Sequence, residues 1–555
     1  MVVTVGLAGW LGWKVLTVRD ELAAAQALVG QVRAGADVES TLNQIAGHAG
    51  RATEAAQDPL WGIAESLPWA GDNLRAVRLA SEALDTLVGG LAVPALQALQ
   101  SSSNDPVLVR LLPVLTGPVD KVSKLNTEIQ QMRENPNLVT QVSGGIEQVA
   151  EVLTLAEPVL RIVPGMLGAD GDRSYLLVAQ SNAETLALGG SAASQSLVQF
   201  SNGRVEIVKQ ADSHQYQWGV PADVEIDQSA IDLYNEYLIN NVNTSVGRPD
   251  WPTASRTIVA LWNRDIDPGS IDGTISVDPL ALARIMRATG PVAVDGRELN
   301  SDNVVSFLLS EAYQLYDPGA GGDADDIFKQ VALAVMDSLL GGDFDPADLL
   351  SAVVDSIDAG SIMFWSADPE IQELISGWRV AGILPTVNQP TTTIGVYFRD
   401  ASLGSKIDYY LETEAVVSST CSADGSVSFD VDVTVWLDLT MKQAKKLPSY
   451  VLGGVSPEDK TFRTQVFIYG PPGTEVSEVR RPTSKKEAWN WRPKDMVDLG
   501  RPVPSFMTVN PLGGAKVTVG ATFVAPAGEF GPLEVRTTPM VRTTRVDMND
   551  ACAPG

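Results

Sequence analysis

Histidine and cysteine are scarce in this sequence, and their scarcity limits the chemistry that it can support. The 555 residues include 2 histidines, His48 and His214, and 2 cysteines, Cys421 and Cys552, all far apart along the chain. Zinc sites, iron–sulfur clusters and most histidine-based catalysis need more of these side chains or a closer spacing. The Walker loop, the GxSxG elbow and the HExxH helix are also missing from the sequence. The corresponding enzyme classes are therefore excluded.

Basic residues are few compared with acidic ones. The chain has 40 Lys and Arg against 68 Asp and Glu, for a formal net charge of -28. A chain with this charge repels a phosphate backbone, so we expect no nucleic acid partner. Hydrophobic residues make up 45% of the chain, which supplies enough apolar side chains for more than one core.

An apolar run opens the chain. Residues 2–18 are apolar apart from Lys14 and the threonines, and 17 residues are the short limit for crossing a bilayer. Trp10, Trp13 and Lys14 suit the headgroup region. The alternative is a cleaved signal peptide, although no small-x-small site follows the run. We expect a single-pass anchor at residues 1–18, whose orientation the charges do not set because no basic residue precedes it.

The two cysteines indicate the compartment. Both fall in the C-terminal β-rich part of the sequence, about 130 residues apart, where a disulfide would contribute about 4 kcal/mol in the chain-entropy model. The alternative is two unpaired buried thiols. We expect a bond between Cys421 and Cys552. Because a disulfide needs an oxidising environment, the bulk of the chain is expected outside the cytoplasm.

The periodicity of apolar residues changes twice along the chain. It is helical over residues 19–168, mixed over 169–388, and period-two over 389–555, where Val427, Phe429 and Val431 alternate with polar residues. An Asn-Gly pair at 202–203 predicts a hairpin turn. We expect a multidomain α+β protein with a membrane helix, a helical stalk or bundle, a central α/β domain and a C-terminal β-sandwich.

Several strings along the chain resemble one family. They are residues 173–184 (RSYLLVAQSNAE), Gly189-Gly190, 272–279 (DGTISVDP), 288–291 (ATGP), 58–68 (DPLWGIAESLP), 71–74 (GDNL) and 406–411 (KIDYYL). Together they resemble the actinobacterial DUF4012 family, a domain family of unknown function. The resemblance implies a membrane-anchored protein of the cell envelope of a Gram-positive actinobacterium.

The central domain also resembles, more weakly, the LytR-CpsA-Psr glycopolymer transferases. Those enzymes hold a lipid-linked pyrophosphate with arginines and a divalent ion with aspartates, because charge on the leaving phosphate must be neutralised. The matching positions here carry Arg173, Asp212, Lys329 and Gln330, so the set is incomplete. The resemblance implies that these four side chains meet at one pocket for an anionic lipid head group, with a divalent cation such as Mg²⁺ if transfer occurs.

A second set of candidate ligand residues precedes the glycine pair. Asn182 and Glu184 are expected between two strands, in a loop whose glycines let backbone N–H groups approach a ligand. The alternative is an ordinary turn in which Asn182 and Glu184 bond their own loop.

These features favour binding over catalysis. We expect an envelope protein that binds a cell-wall glycopolymer or a polyprenyl-phosphate lipid without standard catalysis, with no catalytic residue and no resident cofactor. The first alternative is a diverged glycopolymer–peptidoglycan phosphotransferase. The second is a structural or adhesive surface protein with no small ligand.

Overall fold

The structure is a computed structural model that describes residues 2–33, 38–68, 70–101, 103, 105–316, 324–342, 344–402 and 404–552. The chain forms two compact units. The first comprises Met1–Arg173, Gln199–Glu206 and Ser338–Ala347, and the second comprises Ser174–Val198, Ile207–Asp337 and Asp348–Gly555. The protein is therefore a mixed α+β chain with helices and several sheets.

The N-terminal part of the first unit is helical. Its helices are α1 Val2–Arg33, α2 Val38–Ala56, α3 Pro59–Ala64, α4 Gly71–Leu87, a π-helical turn Val88–Ala92, α5 Val93–Gln100, α6 Val107–Thr116, α7 Val119–Arg133 and α8 Thr140–Met166. Helix α3 starts at Pro59 because the Asp58 carboxylate accepts the Leu60 N–H at 3.0 Å and the proline suits the first helical position. Residues from α4, α7 and α8, including Leu79, Ile129 and Leu153, form one buried cluster.

Helix α1 contains the expected anchor. The side chains of residues 2–9, 11 and 12 lie outside the described part of the structure. Farther along α1, the Lys14 ammonium lies 3.8 Å from the Asp58 carboxylate. Val18 is fully buried in a cluster with Ala52 and Trp61. The C-terminal end of the expected anchor thus contacts other helices of the first unit.

One helical stretch among the described residues is long and apolar enough to cross a membrane. It is Gly71–Gln100, which comprises α4, the π-helical turn and α5. Length and composition are weak evidence, since core helices of soluble proteins meet the same criterion. Ala76, Leu79 and Ala83 of this stretch are buried within the helical cluster.

A five-stranded sheet forms the centre of the α/β part. The strands here are β1 Arg173–Leu186, β2 Gly189–Ser201, β3 Arg204–Asp212, β4 Gly273–Val277, the small pair β5 Val292–Val294 and β6 Arg297–Leu299, and β7 Ile362–Ser366. The sheet order is β3-β2-β1-β4-β7. Strands β1 and β4 are parallel, with Tyr175 opposite Gly273 and Ala179 opposite Val277. Asn202 and Gly203 turn between β2 and β3 at φ values of 48° and 76°.

Helices connect and follow these strands. They are α9 Gln228–Tyr234, α10 Tyr237–Asn240, α11 Trp251–Asp265, α12 Pro279–Thr289, α13 Val304–Ser306, a π-helical turn Phe307–Glu311, α14 Ala312–Leu315, α15 Ala324–Gly341, α16 Pro346–Asp358 and α17 Pro369–Ile375. The Asp278 and Asp368 carboxylates cap α12 and α17 by accepting backbone N–H groups, and a proline follows each aspartate. The Asp-Pro dipeptides therefore set these helix starts.

The C-terminal part is built from strands. They are β8 Thr392–Asp400, β9 Leu411–Cys421, β10 Val427–Leu437, β11 Arg463–Tyr469, β12 Glu475–Arg480, β13 Ala488–Asn490, β14 Val497–Asp498, β15 Arg501–Pro502, β16 Ser505–Val509, β17 Val517–Ala525, β18 Leu533–Thr537 and β19 Arg545–Asp550, with one short helix, α18 Met441–Ala444. Two sheets have five strands each, in the orders β12-β17-β10-β9-β19 and β13-β16-β11-β8-β18. Alternate residues of both, such as Val431 and Val466, are buried in one shared cluster.

A disulfide closes this part of the chain. Cys421 ends β9 and Cys552 follows β19, which pairs in parallel with β9. The pairing places Asp550 opposite Ser419, two residues before each cysteine. The two sulfur atoms are bonded and the Cα atoms lie 5.6 Å apart, across 131 residues of sequence.

Candidate functional site

Asn182 lies inside strand β1, not in a loop. Its side chain is fully buried, and Nδ2 donates to the Asp278 carboxylate at 3.1 Å and to the Pro539 carbonyl at 3.1 Å. The expectation of a loop between two strands is wrong, because β1 continues through residue 186 where a C-terminal segment covers it. The amide that was expected to meet a ligand instead bonds protein groups far away in sequence.

The glycine pair serves the packing of the β1–β2 hairpin. A Cβ atom on Gly190 would meet the Ser181 carbonyl oxygen at 2.0 Å, so only glycine fits at that close approach. The Gly190 N–H donates to the Gln180 side chain at 2.9 Å. The Gln180 amide in turn donates to the Ser276 hydroxyl of β4 at 2.5 Å. These contacts join the middle of β1 to the carboxyl-terminal edge of β4.

Next to this edge lies a cluster of charged residues that we call the acidic junction: Glu184, Asp400, Lys406 and Asp408. The Lys406 ammonium forms an ion pair with the Glu184 carboxylate, and it lies 5.3 Å from the centre of the Tyr313 ring. Asp408 is only 3% exposed and accepts the Thr185 N–H of β1 at 2.9 Å. The junction therefore joins β1 to the segment that follows β8.

The acidic junction holds protons at pH values where exposed carboxylates do not. Burial raises the pKa of Asp408 well above its usual value, and the neighbouring charge of Asp400 adds to the effect. Burial also raises the pKa of Asp400 to about 6, although the Ser402 N–H at 2.6 Å and the Ser405 hydroxyl at 3.1 Å favour its charged form. The Glu184 and Lys406 side chains are 23% and 21% exposed, so this ion pair is the accessible part of the junction.

The described residues do not fit a divalent cation. Across the described ranges, no group of three or more His, Cys, Asp or Glu side chains has an arrangement that could hold a metal ion. Asp212 is the one aspartate at the positions that match the transferase site. Its carboxylate caps a short helical turn by accepting the His214 N–H at 2.9 Å.

The four residues of the transferase resemblance have different surroundings. Arg173 opens β1, belongs to the first unit and donates to the Asp172 carbonyl at 3.4 Å. Lys329 of α15 pairs with Asp326 one turn away at 3.4 Å, and Gln330 on the same helix is exposed. A shared pocket for Arg173, Asp212, Lys329 and Gln330 stays a prediction.

Four residues of the site were not among the sequence candidates: Asp278, Asp400, Lys406 and Asp408. Three of them fall in strings that carry the family resemblance, Asp278 before Pro279 and Lys406 and Asp408 in KIDYYL. A charged residue inside an otherwise buried string was the signal that could have identified them. Their partners could not be read from the sequence, since Glu184 and Lys406 are 222 residues apart.

A family model matches the central part of the chain. Residues 170–313 match the family described as "Protein of unknown function (DUF4012)", which confirms the main resemblance over that segment. No curated protein matches the chain significantly. A solved structure described as the transcriptional regulator yvhJ from Bacillus subtilis is similar to 38% of this chain and 79% of its own, with 16% identity and a TM-score of 0.20. At that TM-score the likeness supports no conclusion about fold or function.

Proposed function

We propose that this chain is a membrane-anchored envelope protein that binds an envelope glycan or a polyprenyl-linked ligand without standard catalysis. In this proposal, residues 2–18 of α1 form the single-pass anchor and the bulk of the chain lies outside the cytoplasm. The central part corresponds to a LytR-CpsA-Psr-like α/β domain, and the two C-terminal sheets to a β-sandwich.

The observation that carries the proposal is the disulfide between Cys421 and Cys552. Disulfides persist in oxidising compartments and are rare in the cytosol. The bond links the end of β9 to the segment after β19, and so constrains nearly the whole C-terminal part of the chain. An extracytoplasmic location explains why the only two cysteines are used in this way.

Binding is favoured over transfer by the partners of the transferase-like residues. Lys329 is paired with Asp326, and the Asp212 carboxylate caps a helical turn. Neutralising a leaving pyrophosphate needs several cations aimed at one point. A diverged transferase remains the alternative that the second experiment below tests.

The first experiment tests the compartment. The full chain is expressed in its native host, and intact cells are treated with a membrane-impermeant reductant followed by a membrane-impermeant maleimide. We expect labelling in intact cells only after reduction, and none in the variant with both Cys421→Ser and Cys552→Ser. Labelling that appears only after lysis would show that the C-terminal part is cytoplasmic.

The second experiment tests the ligand. The full chain is purified from its native membrane, and mass spectrometry identifies the glycan or lipid that accompanies it. We expect an envelope glycan or polyprenyl-linked molecule that remains intact on incubation with peptidoglycan. Transfer of the glycan to peptidoglycan would favour the phosphotransferase, and a preparation without any such molecule would favour a purely structural protein.

A further inference from the structure

An exposed aromatic pair lies beside a surface pocket in the second unit. The Trp218 side chain is 71% exposed and Tyr237 is 47% exposed, with ring centroids 6.5 Å apart and ring planes inclined by 50°. Tyr237 also lines a pocket of about 430 Å³, together with Ile231, Asn235, Glu236 and Asn240. Large aromatic side chains that face water next to a concave surface are a common feature of binding sites.

The loop that carries Trp218 is held firmly in place. The Arg264 guanidinium of α11 donates to the Val220 carbonyl at 2.8 Å and to the Pro221 carbonyl at 3.1 Å. The Gly219 N–H donates to the Asn240 carbonyl of α10 at 3.0 Å. The indole is thus exposed on an ordered backbone, and binding a ligand there would order few additional groups.

The polar groups of the pocket are suited to hydroxyl groups. Asn235 directly follows α9 with a φ of 69°, and its side-chain oxygen accepts a hydrogen bond from Arg492. Asn240 is 8% exposed, and its side-chain oxygen has no hydrogen-bond partner among the described residues. Amides and the Glu236 carboxylate donate and accept the bonds that sugar hydroxyls make, while the aromatic rings match the apolar C–H face of a pyranose.

Charge favours a neutral ligand over a phosphorylated one. Glu236 lines the pocket, and Asp232 lies on α9 next to the pocket residue Ile231. The nearby cation, Arg492, already bonds Asn235 and the Leu233 carbonyl and lies 4.9 Å from the centre of the Trp491 ring. A phosphate group in the pocket would meet the Glu236 carboxylate and no free cation among these described residues, so it would be repelled.

We infer that Trp218, Tyr237, Asn235, Glu236 and Asn240 form a binding site for a neutral saccharide, with a sugar ring against the aromatic pair and its hydroxyls against the amides. This inference rests on the proposed function, since it assigns the glycan-binding role to one place on the chain. The polyprenyl-phosphate ligand of that proposal is not bound at this site.

The test measures saccharide binding by the full chain in lipid nanodiscs. An array of neutral oligosaccharides of the pentose, hexose and N-acetylhexosamine series, each with a phosphorylated counterpart, identifies a binder, and calorimetry then gives its Kd. We expect Trp218→Ala and Tyr237→Ala each to weaken binding by at least about tenfold, and Tyr237→Phe to retain it because the ring stays. Trp378→Ala is the matched control, because Trp378 is also exposed, at 39%, on another part of the second unit.

The outcomes separate this inference from the proposed function. Equal affinity in Trp218→Ala and wild type would overturn the site while leaving glycan binding by the chain intact. An array in which only phosphorylated members bind, or none binds, would overturn the neutral-saccharide assignment. A protein from envelope extracts that wild type retains and Trp218→Ala loses, with no saccharide effect, would make this surface a protein contact instead. Circular dichroism of each variant shows whether it is folded.

Discussion

Two charged clusters in the second unit each contain one cation and three carboxylates, but they compensate for the burial of those charges in different ways. The first, which we call the arginine cluster, comprises Asp227, Arg248, Asp250 and Asp498. Arg248 is 2% exposed and donates to Asp498 through Nε at 3.1 Å and through Nη2 at 2.7 Å, as well as to Asp227 and Asp250 at 2.9 Å each. The second is the acidic junction, where Lys406 pairs with Glu184 while Asp400 and Asp408 accept hydrogen bonds from neutral groups.

The two clusters differ in what offsets the cost of removing their charged groups from water. Burial alone lowers the pKa of Arg248, but its bonds to Asp498 outweigh burial and raise the pKa above the usual value, so the guanidinium stays charged. In the acidic junction, burial instead raises the pKa of Asp400 and of Asp408. Binding a proton, and not pairing with a cation, therefore offsets the cost of burying these two carboxylates. Removing a charge should therefore be costly in the arginine cluster and cheap in the acidic junction.

The largest effect is expected for Arg248→Met. The substitution leaves the fully buried Asp498 carboxylate without a charged partner, which destabilises a protein by about 3–5 kcal/mol. Urea unfolding followed by circular dichroism measures the change. Arg480→Met is the matched control, because Arg480 bonds Asp430 and Asp432 at a side-chain exposure of 29%, and its loss should cost about 1 kcal/mol or less. Equal losses in the two variants would refute the comparison.

The next effect is that of Asp498→Asn. The amide keeps the shape of the carboxylate but has no charge and only one acceptor oxygen. With that oxygen in the place of Oδ2, the bonds from Arg248 Nε and from Tyr469 are kept, while the 2.7 Å bond from Arg248 Nη2 loses its acceptor. We expect a loss of about 2–3 kcal/mol in the free energy of unfolding. A loss under about 0.5 kcal/mol, within the usual range for surface substitutions, would show that Arg248 does not need this charge.

The acidic junction should make stability depend on pH through Asp400. The folded-state pKa of about 6 lies above the usual value of 3.8, so the folded chain binds more protons than the unfolded chain. The stability gained in this way is complete below about pH 4 and is lost as the pH rises through 6. The Asp400→Asn substitution removes this pH-dependent loss of stability, because the amide does not ionise. Because Asp400 is half-buried, we expect the variant to gain about 1–3 kcal/mol on wild type between pH 4 and pH 7. Parallel stability profiles for the two proteins would contradict the assignment.

The smallest effect is expected for Asp408→Asn. Burial raises the pKa of this carboxyl and so favours its neutral form, and the amide oxygen can accept the Thr185 N–H in its place. We expect a change below about 1 kcal/mol in the free energy of unfolding at pH 7. Asp408→Ala removes the acceptor and should cost about 1–3 kcal/mol. The comparison would fail if Asp408→Asn cost as much as Asp498→Asn under the same conditions.

Part of the candidate site could be predicted from the sequence. The strings around Asn182 and Lys406 were identified as family features, and both contribute to the acidic junction. Their role was not predicted, because Asn182 has its partners at Asp278 and Pro539, 96 and 357 residues away. The aromatic pair was not identified either. Trp218 gives no sign in the sequence that it is exposed, since a tryptophan among polar residues is equally compatible with a buried anchor.

The sequence by itself determined the local structure of this protein. Asp-Pro dipeptides start α3, α12 and α17, an Asn-Gly pair turns between β2 and β3, and period-two alternation predicts β10. These features depend on neighbours within a few residues, so local sterics and hydrogen bonding suffice to specify them. Only the tertiary structure decided which charges are buried together, which carboxylates hold protons and which aromatic rings face water. Burial and electrostatics depend on distant segments that meet only when the chain folds, and the sequence around a single residue does not contain them.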